Sequence, residues 1–473
     1  MEQKYLSDDV FEQIKDFNDY YYLTEEQKLL IDKLIINEEL KSRYKYYGLC
    51  NECKQPNIDF NWCQSSVEHY QQNFKNWTSE NSKVDKFIQE SQINAKNENE
   101  KLEWIKYDKF ENIEYITKGG FGTIYKASWK DKFIWDDKFN KINKPVALKS
   151  LNNSKNITFE FLNEINLYLK MNGTAEVIKI HGITKDPKTS NFMMVMDYAN
   201  KGNLRQRLNS DFNSLSWSDK LGILRDIAYG LNVIHEKGLT HRDFHSGNIL
   251  GKDAYFGYTR ITDLGLCKPA NEKHDKVYGV LPYVAPEVLR GKKYTQESDV
   301  YSFGIIIYEV INGLPPYYDI PHEEFLALKI CQGLRPSFNI KVPQLIMYNI
   351  SWEEDSEIVE ADEINKKQPS FTKSDNKLTY TTHHQAIYTS RLLNFNNLPD
   401  PKNADDEEKY SRPSQNNLAH QFKEFERSLN ITKKDSPQPN IKINPNSWLL
   451  WASRISYIRA VDSDQAKISP RYS

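Results

Sequence analysis

Hydrophobic and polar positions change rhythm several times along the chain. Residues 1–48 read as helical: Thr24 and Gln27 form a capping box, and Leu29, Leu30, Leu34 and Ile35 then recur at helical spacing. Residues 49–70 are short and polar and hold three cysteines. Val84, Phe87 and Ile88 predict another short helix inside a helical linker over 71–104. Over residues 105–345 the texture changes again. Strand-like alternation around Glu114 to Trp129 gives way to long helices punctuated by glycine and proline, one of them from about Trp217 to Glu236. Residues 346–473 are dominated by acids, Lys, Asn, Ser and Pro, the pattern of a mostly disordered, solvated tail.

Length and charge narrow the class. The 473 residues allow two to four folded units at roughly 100–200 residues each. Lys plus Arg number 63 against 65 Asp plus Glu, a formal net charge of −2, so charge alone does not hold this chain to nucleic acid. Only 39% of residues are hydrophobic, which leaves part of the chain unpacked. The longest apolar stretch, Phe303 to Ile311, is broken by Tyr308 and Glu309 and falls far short of the ~20 residues that cross a bilayer. Asp8, Asp9 and Glu12 give the start of the chain no cationic flank for a secretory signal. Five cysteines in this length do not make a disulfide scaffold. The expectation is an intracellular, cytoplasmic protein with no nucleic-acid or membrane partner.

The middle of the chain carries the chemistry. Lys118-Gly119-Gly120-Phe121-Gly122 lies between two strand-like runs, where glycines let backbone N–H groups approach phosphate oxygens. A plain hairpin is the alternative. In Val146-Ala147-Leu148-Lys149, alternation places Ala147 and Lys149 on one face. The predicted helix from Phe159 to Lys170 has an apolar stripe of Phe161, Ile165, Tyr168 and Leu169, and Glu164 lies inside it. A buried acid needs a partner, and Lys149 is the candidate. Further on come His241-Arg242-Asp243-Phe244-His245-Ser246-Gly247-Asn248, then Asp263-Leu264-Gly265 after a strand-like Thr259 to Thr262. Ala285-Pro286-Glu287 follows, and Asp299 to Gly304 heads an apolar helix closed by Gly313 and Pro315.

In this order and at these separations, the motifs resemble those of eukaryotic protein kinases over roughly residues 105–345. The resemblance implies an α+β bilobal kinase fold, with a small antiparallel-sheet lobe carrying one helix and a large helical lobe. It implies ATP and Mg²⁺ as cofactors and a protein hydroxyl, Ser or Thr, as acceptor. Asp243 would orient the acceptor hydroxyl or take its proton, and Asn248 and Asp263 would hold Mg²⁺. Lys149, fixed by Glu164, would clamp the α- and β-phosphates. Ile116, Thr117, Lys118, Gly119, Gly120, Phe121, Gly122, Thr123 and Ile124 would cover the nucleotide. Ile116, Ile124, Ala147 and Leu250 would sandwich adenine, Met196 would guard the back pocket, and backbone groups of Asp197 and Ala199 would bond the base. His241, Leu264 and Tyr168 resemble the stacked apolar spine joining the lobes. Asp197 to Leu204, Leu281 to Glu287 and Asp299 to Gly304 resemble the tyrosine-kinase-like branch. Trp77-Thr78-Ser79, Leu102 to Ile105 and Glu360 to Lys367 resemble an expanded fungal kinase set with a cysteine-bearing leader and an Asn-rich tail.

Several positions depart from the kinase pattern. Thr117 replaces the first glycine of the nucleotide loop, His245 stands where a lysine meets the γ-phosphate, and Val280 stands where a threonine buttresses the base. After Leu345 no Cys-Trp followed by an Arg-Pro appears, so the large lobe reads as lacking its last helices, and Glu287 needs a substitute cation, for which Arg335 is the candidate. The alternative to an enzyme is a pseudokinase or nucleotide-binding scaffold that acts through protein–protein contacts. From Asp263 to Ala285 the only hydroxyl side chains are Tyr278 and Tyr283, which makes Tyr278 the candidate modified residue and Arg242 its phosphate receptor. In the leader, Cys50, Cys53 and Cys63 take the first three positions of a Cys₄ knuckle whose fourth is Ser66. His69 could complete a weak zinc site; three ordinary thiols are the alternative.

Overall fold

A computed structural model describes residues 5–17, 23–50, 52–59, 61–119, 122–135, 141–151, 154–155, 157–251, 259–269, 276–337, 380–395 and 397–401. Gly120, Phe121, the expected loss of closing helices after Leu345 and the Glu360–Lys367 motif lie outside the described residues. The chain divides into two compact units, residues 1–202 with 249–267, and residues 203–248 with 268–473.

The first unit opens with three leader helices, α1 (Asp8–Ile14), α2 (Glu25–Leu34) and α3 (Glu38–Tyr47). The Thr24–Gln27 capping box is formed at α2. The expected stripe is met at Ile35, fully buried, and at half-buried Leu30 and Leu34, and departs at Leu29. Ile31 and Ile35 are fully buried with Leu6, Ile14, Leu23, Leu40 and Tyr44, whereas Leu29 is 68% exposed. Packing against α1 and α3 selects the Ile31–Ile35 face over the adjacent apolar row. Helices α4 (Ser66–Asn73) and α5 (Ser82–Asn94) follow.

A six-stranded sheet holds the rest of this unit, with β1 (Glu103–Trp104), β2 (Phe110–Lys118), β3 (Gly122–Trp135) and β4 (Lys141–Leu151) preceding helix α6 (Phe159–Met171), then β5 (Ile180–Lys185) and β6 (Phe192–Asp197). The strand order is β1-β5-β6-β4-β3-β2. All neighbours are antiparallel except β1, which runs parallel to β5. The sheet therefore begins at Glu103, inside the stretch expected to be helical linker. Gly182 makes that docking possible, because a Cβ there would stand 2.1 Å from the Glu103 carbonyl oxygen. Ile105, Phe110, Trp129, Val146, Leu148, Met193 and Val195 form the core on one face of the sheet.

The chain continues into the second unit with α7 (Leu204–Asp211), α8 (Trp217–Glu236) and β7 (Leu239–Thr240), and returns to the first for the short hairpin β8 (Ile249–Gly251) and β9 (Thr259–Ile261). The second unit is completed by β10 (Lys268–Pro269), β11 (Val277–Gly279), α9 (Pro286–Leu289), α10 (Gln296–Asn312), α11 (Glu324–Cys331) and β12 (Arg391–Leu393). Helix α10 begins on a Thr295–Ser298 capping box and stops at Gly313, whose φ of 74° supplies the left-handed turn. Strand β12 belongs to the region expected to be tail; it pairs antiparallel with β11. Residues 380–401 thus form a packed exception within that solvated stretch. Among the described residues, no helix is long and apolar enough to cross a membrane.

Candidate active site

In the first unit, strand β4 presents Lys149 and helix α6 presents Glu164, and both side chains are buried. Lys149 Nζ donates to Glu164 Oε1 at 2.7 Å and to Asp263 Oδ1 at 2.8 Å. Burial pushes the lysine toward its neutral form, but the Asp263 and Glu164 carboxylates outweigh it and hold its pKa well above the ordinary value. Burial raises the pKa of Glu164 against the pull of Lys149. The acid in the apolar stripe has the partner that its position demanded.

Asp263 sits in the left-handed region at φ 63°. Its N–H donates to the Tyr168 hydroxyl at 2.7 Å, and the same oxygen lies 3.2 Å from Thr262 Oγ1. Tyr168, expected only as apolar packing, is a polar support for Asp263. Its full burial within the α6 stripe was readable; the use of its hydroxyl was not.

The nucleotide loop closes as a hairpin, with Thr117 opposite Ile124 and Lys118 opposite Thr123. Gly119 N–H donates to the Gly122 carbonyl at 2.8 Å. Ile116 is 43% exposed, Ile124, Ala147 and Leu250 are half-buried, and Met196 is buried beside Ala147 in the ladder. Asp197 ends β6, and its N–H donates to the Lys179 carbonyl at 3.0 Å. Its buried carboxylate also gathers Lys144, His181 and Arg260 at 3.0, 2.8 and 2.8 Å, tying β4, β5 and β9 to the end of β6.

In the second unit, Asp243 and Asn248 are brought together. Asn248 Nδ2 donates to the Asp243 carbonyl at 2.9 Å and reaches its Oδ2 at 3.4 Å. The loop is held from below by Asp299, 1% exposed, which accepts from the N–H groups of His241 at 2.7 Å and Arg242 at 3.1 Å. An acid at the head of an apolar helix was the available signal for that role. Gly247 N–H donates to His245 Nδ1 at 3.1 Å, which leaves the ring proton on Nε2, 3.6 Å from Asp243 Oδ1. Val280 lines the same cavity as Asp243 and supplies no hydroxyl there. Tyr283 is core: its hydroxyl donates to buried Glu309 at 2.6 Å, and burial pushes its pKa up to about 12. Arg242 donates to Thr240 Oγ1 and to the Pro269 carbonyl and lies 5.3 Å from the Tyr294 ring, so it is already engaged without a phosphate.

The leader cysteines also meet. Cys50, Cys63 and His69 bring their ligand atoms within 4.8 Å of one another, whereas Cys53, the fourth expected ligand, is not in that cluster. His69 Nδ1 lies 2.8 Å from Glu52 Oε2. Ser66 is turned inward, accepting from the Cys63 N–H at 2.8 Å.

Residues 110–357 match the family model described as protein tyrosine and serine/threonine kinase. A probable serine/threonine-protein kinase of Dictyostelium discoideum is 29% identical over 292 residues, covering 59% of this chain and 20% of that protein. The Arabidopsis thaliana serine/threonine-protein kinase VIK is 30% identical over 247 residues, 49% of this chain and 52% of that one. The Arabidopsis MDIS1-interacting receptor like kinase 2 is 32% identical over 216 residues, 44% of this chain and 20% of its own length. The chain spans between a fifth and about half of the length of these relatives.

Proposed function

We propose that this chain, which belongs to the protein tyrosine and serine/threonine kinase family, transfers the γ-phosphoryl group of Mg·ATP to a Ser or Thr hydroxyl of a protein. The observation that carries this reading is Lys149, a buried cation held by both Glu164 and Asp263. A phosphate clamp must be fixed before reaction if it is to stabilise developing charge without reorganising. ATP and Mg²⁺ fit the donors of each unit taken by itself: in the first, Asp263 offers a hard oxygen ligand and Ile116, Ile124, Ala147 and Leu250 are half-buried apolar groups; in the second, Asn248 offers a hard oxygen ligand. Asp243 would orient the acceptor hydroxyl. The relatives named as serine/threonine kinases support that acceptor class. The wording of Asp197 to Leu204 and Leu281 to Glu287 supports the tyrosine-kinase-like branch, and the leader and tail motifs support the fungal set. Cys50, Cys53, Cys63, Cys267 and Cys331 form no disulfide, which fits a reducing, cytoplasmic setting. Transfer of radiolabelled phosphate to casein by the full chain, with Asp243→Asn as control, tests the reading: equal labelling by both proteins would refute it.

A second site is favoured by the leader geometry. Cys50, Cys63 and His69 already gather their ligand atoms, and with Cys53 added they would hold zinc as a Cys₃His set, Glu52 orienting the imidazole. Metal analysis of the full chain checks it, with less than about a tenth of an equivalent of zinc as the refuting result.

A further inference from the structure

We propose that a basic cavity between the leader and the six-stranded sheet binds a phosphate group, held as the head of a small phosphate ester or as the free ion. The site goes beyond the phosphotransfer reading and stands whether or not that reading does.

The cavity lies wholly within the first unit and has a volume of about 170 Å³, far above the ~10–15 Å³ that admits a single water. Asn61, Glu98 and Lys101 reach it from the segments that precede the sheet, Lys132 from β3, Lys144 from β4, and Lys179 from just before β5. The docking of β1 on β5 is what brings Lys101 and Glu103 to Lys179 and His181. None of the residues expected to hold ATP lines this cavity.

Four lysines face two carboxylates there, and the pairing leaves two of the cations over. Lys101, 8% exposed, takes both carboxylates, with Glu103 at 2.8 Å and Glu98 at 3.2 Å. Lys144 Nζ pairs with Asp197 Oδ1 at 3.0 Å and lies 3.1 Å from His181 Nε2. Asp197 is shared with Arg260 at 2.8 Å, so it has no charge to spare. Lys179 Nζ donates to Asn99 Oδ1 at 2.6 Å, a neutral acceptor, and Lys132 Nζ stands 5.7 Å from the Trp129 ring. Among the described residues, neither Lys179 nor Lys132 is in an ion pair. Burial lowers the Lys179 pKa, Glu98 pulls it back, and Lys144 pushes it down again, the condition of a half-buried cation that lacks a counter-ion.

Two cations left over call for two negative charges. A phosphate monoester carries about −1.5 to −2 at neutral pH with three strong acceptor oxygens, whereas a carboxylate brings one charge and two oxygens. Lysines on different elements act as separate point donors, which suits a tetrahedral anion; a planar carboxylate is better met by the fork of an arginine. Trp129, 6% exposed, and fully buried Ile180 give the cavity an apolar flank, against which the carbon of an ester can lie.

The test is calorimetric titration of the full chain, without nucleotide and at low ionic strength, with inorganic phosphate in one arm and O-phosphoserine in the other. The unaltered chain is expected to bind at least one of them with a Kd below about 1 mM. Lys179→Gln keeps a donor for Asn99 and drops the charge, and is expected to weaken binding by about ten-fold or more. Lys149→Met, which removes the nucleotide clamp, is expected to keep the affinity within about two-fold, because Lys149 does not line this cavity. Tighter binding of O-phosphoserine identifies the ester as the source, and equal or tighter binding of inorganic phosphate identifies the free ion. A Kd above about 1 mM for both ligands in the unaltered chain overturns the site. Binding that Lys179→Gln leaves undiminished, or that Lys149→Met removes, overturns it as well, because the anion then sits elsewhere. If Lys179→Gln fails to fold, Lys132→Gln on the exposed rim carries the test: about a three-fold loss is expected, and an unchanged Kd overturns the site.

Discussion

Removing one oxygen from the first unit should separate packing from positioning. Tyr168 is fully buried, and its hydroxyl accepts the Asp263 N–H at 2.7 Å and the Leu264 N–H at 3.4 Å. Tyr168→Phe keeps the ring and leaves the Asp263 N–H without its acceptor. A buried donor left unsatisfied costs about 1–3 kcal/mol. Asp263 is held in a left-handed conformation, so its backbone can recover part of that cost by turning the N–H elsewhere, which moves the carboxylate off Lys149. At ~1.4 kcal/mol per decade, the whole cost would appear as roughly a 5- to 150-fold loss in kcat if it fell on the reacting geometry. The assay is casein phosphorylation as a function of Mg²⁺, alongside thermal melting. A positioning role raises the Mg²⁺ needed for half-maximal rate; a packing role lowers Tm and leaves the Mg²⁺ dependence alone. Tyr168→Phe with kcat, Mg²⁺ dependence and Tm all unchanged would refute the argument.

Two further outcomes follow from buried groups in the second unit. Burial lowers the pKa of His322 below its ordinary value of 6.5, so below that pH the unfolded chain binds a proton that the folded chain refuses. Stability should therefore fall as pH drops from 6.5 toward the folded pKa, by at most about 1.4 kcal/mol per pH unit from this group. Melting curves at neutral and mildly acid pH, compared with His322→Gln, check it; an identical pH slope in the two proteins would count against it. Because Arg242 is already engaged by Thr240, Pro269 and Tyr294, Tyr278→Phe should leave casein phosphorylation within about two-fold. A ten-fold loss would restore Tyr278 as a switch.

The parts of this molecule that could be read from sequence are those set by local pattern. Glu164 announced its partner because an acid inside an apolar stripe has few affordable solutions. The helix from Trp217 to Glu236 and the stop at Gly313 were fixed by spacing and a left-handed turn. What escaped depends on contacts distant in the chain. Ile31 and Leu29 are equally apolar, and only α1 and α3 decide which one is buried. The two-residue strand at Glu103 is visible only once Gly182 is beside it. Strand β12 forms where Val277–Gly279 offers it an edge and His322 holds Ile387 just before it. Ile387, Tyr388, Leu392 and Leu393, an apolar run within a polar tail, were the signal available for it.

Glu287 shows why that tail segment matters to the unit as a whole. The kinase resemblance implies a cationic partner for this acid, for which Arg335 is the candidate. Burial raises the Glu287 pKa, and Arg335 and Lys292 are the cations that pull it back. Arg335 is held at the end of α11 by the carbonyls of Ile330 and Leu334 at 3.0 and 2.8 Å, with its guanidinium 5.1 Å from the Tyr301 ring. Its field reaches Glu287 while its hydrogen bonds are spent on the backbone. A buried pair broken outright would cost about 3–5 kcal/mol, so partial compensation leaves the α9 turn short of its usual support. The tail acts on that same turn: Arg290, three residues after Glu287, binds the Leu398 carbonyl and pairs with Asp400, so residues 397–401 anchor the α9 turn where the partner of Glu287 is only partial.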